Sequence, residues 1–186
     1  FHLGWRDATV AFAADLAFPA GAYILDVGSG IGGLARFLAA TADVRVTGID
    51  LTDAFVNTAQ ALTVRCGLSD RVDFRQASAL ALPFPDANFD GATMIHVGMN
   101  IADKGKVFSE VRRVLRQGAR FGVYEAMRGS SDPLPYPMPW ANTEETSFVE
   151  SPATYARLLE EAGFAIEAQH DRKGLVLDAG RRMREE

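Results

Sequence analysis

A short apolar segment that ends in a cluster of glycines, Tyr23–Gly33, constrains the fold of this chain more than any other feature. Its first half, Tyr23–Val27, is a brief apolar run closed by glycine, which is typical of a strand buried on both faces. Gly28, Gly30 and Gly33 follow, and glycines at a strand-to-helix turn let a ligand approach the backbone closely. Their spacing fits the GxGxxG pattern of dinucleotide sites, although many loops satisfy that pattern by chance.

Strand and helix patterns alternate along most of the 186 residues. We predict helices over residues 5–17, 32–40, 52–66, 104–116, 152–161 and 174–186. We predict strands over residues 23–27, 44–49, 72–76, 89–97, 120–126 and 164–170. Such alternation implies parallel strands joined by right-handed crossovers, with helices on both faces of the sheet. The sequence therefore predicts an α/β fold, a Rossmann-like, doubly wound, mostly parallel sheet, in a single domain over residues 1–186.

The alternation breaks at residues 128–150, where alternate prolines exclude a helix. A long ordered loop inside a compact domain is more often functional than idle. This loop leaves the carboxyl end of the fifth predicted strand, the edge at which open α/β sheets bind ligands. We predict that it forms a substrate-side lid in which Tyr136, Trp140 and Phe148 contact the ligand. The alternative is that these aromatic side chains only pack the loop onto the sheet.

Two acidic residues distinguish the glycine loop from an ordinary dinucleotide site. Asp26 lies just before Gly28, where a carboxylate would repel a pyrophosphate but suit a ligand with an ammonium or sulfonium group. Asp50 ends the second predicted strand, where it can accept hydrogen bonds from ribose hydroxyls. The structural alternative is that Asp26 is an ordinary strand-end residue and that Asp50 caps a helix.

Four segments resemble, in order and spacing, successive motifs of class I S-adenosylmethionine-dependent methyltransferases: ILDVGSGIGG, VTGID, FRQASALALPFPDANFDGATMIHV and RRVLRQGARFGVYEA. The resemblance covers nearly the whole chain. It is closest to the small-molecule group of methyltransferase type 11, which includes sarcosine and dimethylglycine methyltransferases. It implies S-adenosyl-L-methionine as cofactor, S-adenosyl-L-homocysteine as product, and methyl transfer to a small-molecule acceptor by in-line displacement. It also implies that the last strand of the family's sheet is missing here.

The same resemblance implies a set of site residues. The cofactor-binding positions would be Asp26, Gly28, Ser29, Gly30, Asp50, Leu51, Ser78, Ala79 and His96. Ser78 stands where the family often has an acidic residue, and a hydroxyl is a weaker acceptor for an adenine amino group. His96, at the end of the fourth predicted strand, would face the methyl group and is the candidate catalytic base. The alternatives are a buried histidine whose hydrogen bonds are satisfied by the backbone and a histidine that only shapes the cofactor pocket.

Two other functions remain open on these residues. A nicotinamide-dependent (NAD(P)) oxidoreductase would use the same glycines, although Asp26 disfavours it. The second possible function is a non-catalytic module that binds S-adenosylmethionine. It stays open because Ser78 replaces the usual acid and because a fold alone does not determine function.

The composition of the chain disfavours several classes of partner and location. A formal charge of −5 and a pI of about 5.2 disfavour a nucleic-acid partner, which usually selects a basic face. The lack of a long apolar run disfavours a membrane span. Cys66 is the only cysteine, so no internal disulfide forms, and we expect a cytoplasmic protein. No His, Cys, Asp or Glu cluster has metal-ligand spacing, so we expect no metal. The first residue, Phe1, follows no signal-peptide pattern, and we expect the chain to be part of a longer polypeptide.

Overall fold

The computed structural model describes residues 3–174 and 176–177. In chain order its elements are α1 (Trp5–Leu16), β1 (Tyr23–Val27), α2 (Gly33–Thr41), β2 (Arg45–Asp50), α3 (Asp53–Arg65), β3 (Val72–Gln76), β4 (Phe89–Ile95), α4 (Lys104–Val114), β5 (Leu115–Tyr124) and α5 (Pro152–Glu161). Single-turn 3-10 helices lie at Gly98–Asn100 and Glu144–Thr146. Strands and helices alternate over the region in which the sequence predicts alternation.

The five strands form one parallel sheet in the order β3-β2-β1-β4-β5. Strand β1 pairs with β2 on one side and with β4 on the other. The connections therefore reverse direction across the sheet at β1, and a crevice opens at the carboxyl ends of β1 and β4. Ligands of open α/β sheets bind at such a switch point.

Helices cover both faces of the sheet, as expected for a doubly wound fold. Adjacent residues of β1 point to opposite faces, and Ile24 and Leu25 are both fully buried. Ile24 packs in a core cluster with Phe12 of α1. Leu25 packs in a second cluster with Phe108 of α4. The α/β, Rossmann-like prediction is confirmed.

Two boundaries differ from the prediction, one at each end of the strands. Strand β4 ends at Ile95, earlier than predicted, because His96 takes a left-handed φ of 54°. Helix α4 ends at Val114, and β5 follows at once over residues 115–124 instead of 120–126. A register irregularity between β4 and β5 accommodates this early start. The chain therefore turns sharply just after β4, beside the crevice.

The strand predicted over residues 164–170 is wrong, since this segment is not part of the sheet. Side chains hold it beside β5: the Phe164 ring centroid lies 5.4 Å from that of Phe121, and Glu167 pairs with Arg120 at 3.2 Å. A cavity of about 990 Å³ is lined by both this segment and β5. Among the described residues no backbone hydrogen bond joins this segment to β5, so no strand ladder forms. The helix predicted over residues 174–186 lies largely outside the described residues.

Candidate functional site

The glycine loop lies at the carboxyl end of β1 and is fixed by β2. Gly28 and Gly30 adopt left-handed φ values of 68° and 52°, which glycine tolerates without strain. The Ser29 amide donates to the Ile49 carbonyl over 2.8 Å. A Cβ atom added at Gly28 would overlap the Val97 side chain, whereas one added at Gly30 would meet no atom within 4 Å. Gly30 therefore faces open space in which a ligand can approach the backbone.

Asp50 holds the loop from the neighbouring strand. Its Oδ2 accepts the Gly30 amide over 2.9 Å, and its Oδ1 accepts the Thr52 amide over 2.9 Å, just before α3 begins. The carboxylate thus fixes the glycine loop and the start of a helix at the same time. Each oxygen accepts one of these amides and keeps lone-pair capacity for a ligand hydroxyl.

Asp26 is a buried acid behind the loop, with 3% of its surface exposed. Its Oδ1 accepts the Thr93 hydroxyl over 2.8 Å, while its Oδ2 has no hydrogen-bond partner among the described residues. Burial raises the pKa of Asp26 to about 7; the Thr93 hydrogen bond opposes that rise and the charge of Asp50 adds to it. A cationic group bound beside Oδ2 would favour the ionised carboxylate.

Ser29 presents a second polar atom of the same kind. Its hydroxyl oxygen is shielded from solvent and has no hydrogen-bond partner within the part of the chain that the structure describes. Buried polar atoms are nearly always hydrogen-bonded in native proteins, and leaving one unpaired costs about 1–3 kcal/mol. The unpartnered atoms of Asp26 and Ser29 therefore fit a polar ligand at this loop.

Exposed apolar side chains follow three neighbouring strands at the same edge of the sheet. Ile31 follows β1 and is 41% exposed, Leu51 follows β2 and is 71% exposed, and Leu80 follows β3 and is 38% exposed. The Ser78 hydroxyl accepts the Leu80 amide over 3.2 Å, and Ala79, half-buried, lies between them. These side chains can contact the faces of a flat apolar ring.

His96 follows β4 directly and is half-buried. Its amide donates to the Tyr124 carbonyl over 2.9 Å, and its Nε2 accepts the Leu3 amide over 3.1 Å. The Tyr124 hydroxyl donates to the Leu3 carbonyl over 2.9 Å. The ring centroids of His96 and Tyr124 lie 5.0 Å apart. Both the amide and the carbonyl of Leu3 are therefore held, and the Leu3 amide occupies the lone pair of His96 Nε2 in this structure.

Of the three predicted lid aromatics, Phe148 is the one that hydrogen-bonds to this edge of the sheet. Its amide donates to the Met99 carbonyl over 2.8 Å, just beyond β4, and its carbonyl accepts the Lys104 ammonium over 2.5 Å. Trp140 is linked indirectly, since its indole Nε1 donates to the Ser147 hydroxyl over 3.0 Å. Tyr136 is half-buried farther along the loop. The loop is closed at its base by the Arg128 amide and the Glu150 carbonyl, 2.9 Å apart.

Sequence reasoning missed Glu125 and Tyr155. Glu125 comes directly after β5, and its Oε1 accepts the amides of Val97 over 2.9 Å and Gly98 over 2.8 Å. Tyr155 is 2% exposed and packs from α5 with its hydroxyl toward Gly98. An acid at the end of an apolar strand was a usable signal for Glu125, as it was for Asp26. Nothing local in the sequence points to Tyr155.

Within residues 3–174 and 176–177, no group of three or more His, Cys, Asp and Glu side chains is arranged to hold a metal ion. In the same residues, no helix has the length and apolar character needed to cross a bilayer.

Comparison with known proteins gives a family and several relatives. A family model described as "Methyltransferase domain" matches residues 25–123. The sterol 24-C-methyltransferase ERG6B of Gibberella zeae is 37% identical over 113 residues, which are 61% of this chain and 30% of that protein. The first two curated relatives are matched over 30% and 33% of their lengths, so this chain spans about a third of each.

Two solved structures share the fold over nearly the whole chain. The cyclase SpnF has a TM-score of 0.80 at 26% identity, covering 95% of this chain and 66% of that one. Phosphoethanolamine N-methyltransferase 2 of Haemonchus contortus, solved with S-adenosyl-L-methionine, has a TM-score of 0.83 at 21% identity. That match covers 100% of this chain and 44% of the other.

Proposed function

The chain belongs to the methyltransferase-domain family, and on that premise we propose that it transfers a methyl group from S-adenosyl-L-methionine to a small-molecule acceptor, releasing S-adenosyl-L-homocysteine. The observation that carries the proposal is the carboxyl of Asp26, buried behind an open glycine loop with Oδ2 unpartnered among the described residues. A pyrophosphate would meet repulsion there, whereas a cationic ligand would meet attraction.

The cofactor site consists of the glycine loop and the residues after β2 and β3. Asp26 and Ser29 supply polar atoms toward the amino-acid part of the cofactor. Asp50 accepts ribose hydroxyls with the lone pairs that its two backbone bonds leave free. Leu51 and Ala79 flank the adenine, and Ser78 contacts its polar edge. Bound there, the cofactor supplies a methyl group on a sulfonium, which is the electrophile of the reaction.

The acceptor side consists of His96 and the loop over residues 128–150. In-line displacement requires the acceptor lone pair to be aligned with the breaking bond, and positioning of that kind contributes about 7–11 kcal/mol to lowering the barrier. The backbone hydrogen bond between Phe148 and Met99 places the lid next to the carboxyl end of β4. Tyr136 and Trp140 extend the acceptor wall. His96 accepts the proton of an acceptor that must lose one, once the Leu3 amide has moved from Nε2.

The comparisons favour this function over the alternatives but leave the acceptor open. One relative is named as a methyltransferase of a sterol carbon, and one solved structure is named as a methyltransferase of the phosphoethanolamine nitrogen. Membership of the family therefore does not specify the acceptor atom. The fold is shared with a cyclase, so the shape alone does not establish methyl transfer. The family match to methyltransferases favours this reaction over a nicotinamide-dependent oxidoreductase.

A turnover screen with labelled methyl donor tests the proposal. The protein would be incubated with S-adenosyl-L-methionine carrying a labelled methyl group and with panels of amines, phenols and carbon nucleophiles. We expect label transfer to at least one small molecule, inhibition by S-adenosyl-L-homocysteine, and at least tenfold lower turnover in Asp26→Asn at subsaturating cofactor. Asp70→Asn, an exposed acid before β3, is the matched control and should keep its turnover. Label transfer unchanged by Asp26→Asn would remove Asp26 from the cofactor site.

A further inference from the structure

The turn after β4 is held by a carboxylate from the neighbouring strand. Residues 96–98 leave the sheet with His96 in a left-handed conformation, at φ 54°. Glu125, the residue after β5, accepts the amides of Val97 and Gly98 on a single oxygen, at 2.9 and 2.8 Å. Hydrogen bonds to an ionised acceptor are roughly twice as strong as neutral ones. Among residues 3–174 and 176–177, Glu125 is the only residue whose side chain accepts these two amides.

The turn in question touches both halves of the candidate site. Val97 packs so closely on the glycine loop that a Cβ atom at Gly28 would overlap its side chain. His96, in the same turn, is the candidate base. A shift of this turn would therefore change the shape of the cofactor loop and the position of the imidazole together.

The far side of Glu125 is closed by α4 and α5. A Cβ atom at Gly98 would overlap the Tyr155 hydroxyl and would lie 3.3 Å from Glu125 Oε1, so the two side chains meet at this glycine. Glu125 Oε2 and the Tyr155 hydroxyl are both shielded from solvent, and neither has a hydrogen-bond partner among the described residues. The Lys104 ammonium lies 5.9 Å from the centre of the Tyr155 ring and donates to the Ile101 carbonyl over 2.8 Å.

We propose that Glu125 is a positioning residue of the candidate site: its carboxylate clamps the turn at residues 96–98, and the clamp keeps Val97 against the glycine loop and His96 at the acceptor side. Tyr155 limits the movement of this clamp at Gly98. The consequence for methyl transfer rests on the function proposed above, whereas the clamp itself is a property of the fold.

The charges around Glu125 make the clamp sensitive to pH. Burial raises the pKa of Glu125 to about 7, and its two backbone bonds and the Lys104 ammonium oppose that rise. The other titratable groups near it are Tyr155 from α5, Glu150 from the lid and His96 in the turn. Protonation weakens a carboxylate as an acceptor, so the clamp should be strongest above about pH 7 and weaken as the pH falls below that value.

Amide hydrogen exchange, measured residue by residue without cofactor, tests the clamp directly. In Glu125→Ala we expect the Val97 and Gly98 amides to exchange at least about tenfold faster after correction for intrinsic rates. Glu125→Gln keeps the shape and one carbonyl acceptor but loses the charge, so it should show a smaller increase. Glu167→Gln removes an exposed acid that pairs with Arg120 in β5 and should leave both amides unchanged.

Affinity for S-adenosyl-L-homocysteine, measured on the same variants, tests the positioning role. We expect Glu125→Gln to bind it at least threefold more weakly at pH 8. Its affinity should also change less between pH 6 and pH 8 than that of the wild type, with the remaining change coming from Asp26. Unchanged exchange at Val97 and Gly98 in both Glu125 variants would overturn the clamp. Faster exchange with unchanged affinity would overturn the positioning role. If the wild-type protein bound no S-adenosyl-L-homocysteine, the proposed function would fail, while exchange at the two amides would still decide the clamp.

Discussion

The Gly30 amide donates to the Asp50 carboxylate over 2.9 Å, so the acid that ends β2 fixes the glycine loop that follows β1. The same carboxylate accepts the Thr52 amide and thereby anchors the start of α3. Asp50 is thus part of the fold before any ligand binds. The sequence offered ribose binding and helix capping as alternatives for this residue, and the geometry is compatible with both at once.

Substitution of Asp50 should therefore affect stability and cofactor affinity together. Asp50→Ala leaves two backbone amides without their acceptor, and we expect the free energy of unfolding to fall by about 1–3 kcal/mol. The affinity for S-adenosyl-L-homocysteine should fall at least tenfold. Denaturant unfolding and calorimetric titration measure the two effects. Loss of stability with unchanged affinity would make Asp50 a structural residue only.

The two left-handed glycines of the loop should respond differently to alanine. Gly28→Ala places a methyl group on Val97, so the protein should lose stability by about 1–3 kcal/mol. Gly30→Ala meets no neighbouring atom, so its cost is limited to backbone strain of about 1 kcal/mol. Its methyl group instead occupies the space where a ligand approaches. We therefore expect Gly30→Ala to lose most of its cofactor affinity while it unfolds close to the wild-type midpoint.

Cofactor binding should release a proton from Asp26. In the free protein the raised pKa, about 7, keeps this carboxyl partly protonated at neutral pH. A bound cation lowers that pKa, so protons leave on binding and the affinity should increase from about pH 6 to pH 8. Calorimetric titration at pH 7 in two buffers with different ionisation enthalpies counts the protons. We expect the wild type to release about half a proton more than Asp26→Asn, in which only Glu125 can still contribute. Equal release by both would assign the proton to another group.

Replacement of His96 separates a base from a residue that only shapes the pocket. Asn is the appropriate replacement because it tolerates the left-handed backbone at this position. If His96 is a base, His96→Asn should lower kcat by about a hundredfold or more while cofactor affinity stays within about twofold. If His96 only shapes the cofactor pocket, affinity and kcat should fall together. Single-turnover kinetics and a separate titration with S-adenosyl-L-homocysteine distinguish these outcomes.

Local patterns in the sequence predict the centre of the sheet well. The bounds of β1 and β3 coincide with those in the structure, because each is a compact run of strand-forming residues between turn signals. The proximity of Gly30 to Asp50 could also be predicted from the sequence. Gly30 follows β1 and Asp50 ends β2, and the two strands are parallel neighbours. The left-handed turn at His96 was not accessible, because Ile95 and Val97 on either side have strand propensity and the turn depends on Glu125, which is distant in sequence.

Long-range pairing explains the remaining differences. Residues 164–170 have the apolar content of a strand, but a strand also needs a partner at ladder distance, and Phe164 and Glu167 hold the segment on β5 through side chains only. The meeting of Glu125 and Tyr155 at Gly98 likewise joins three elements that are remote in the chain. Periodicity carries no information about such contacts.

The most direct test of the central claim is a calorimetric titration of the wild-type protein with S-adenosyl-L-homocysteine and, separately, with NAD. The buried carboxyl of Asp26 and the open loop at Gly30 predict saturable, one-to-one binding of S-adenosyl-L-homocysteine and at least tenfold weaker binding of NAD, whose pyrophosphate would face that acid. Tighter binding of NAD, or no binding of S-adenosyl-L-homocysteine, would contradict the account.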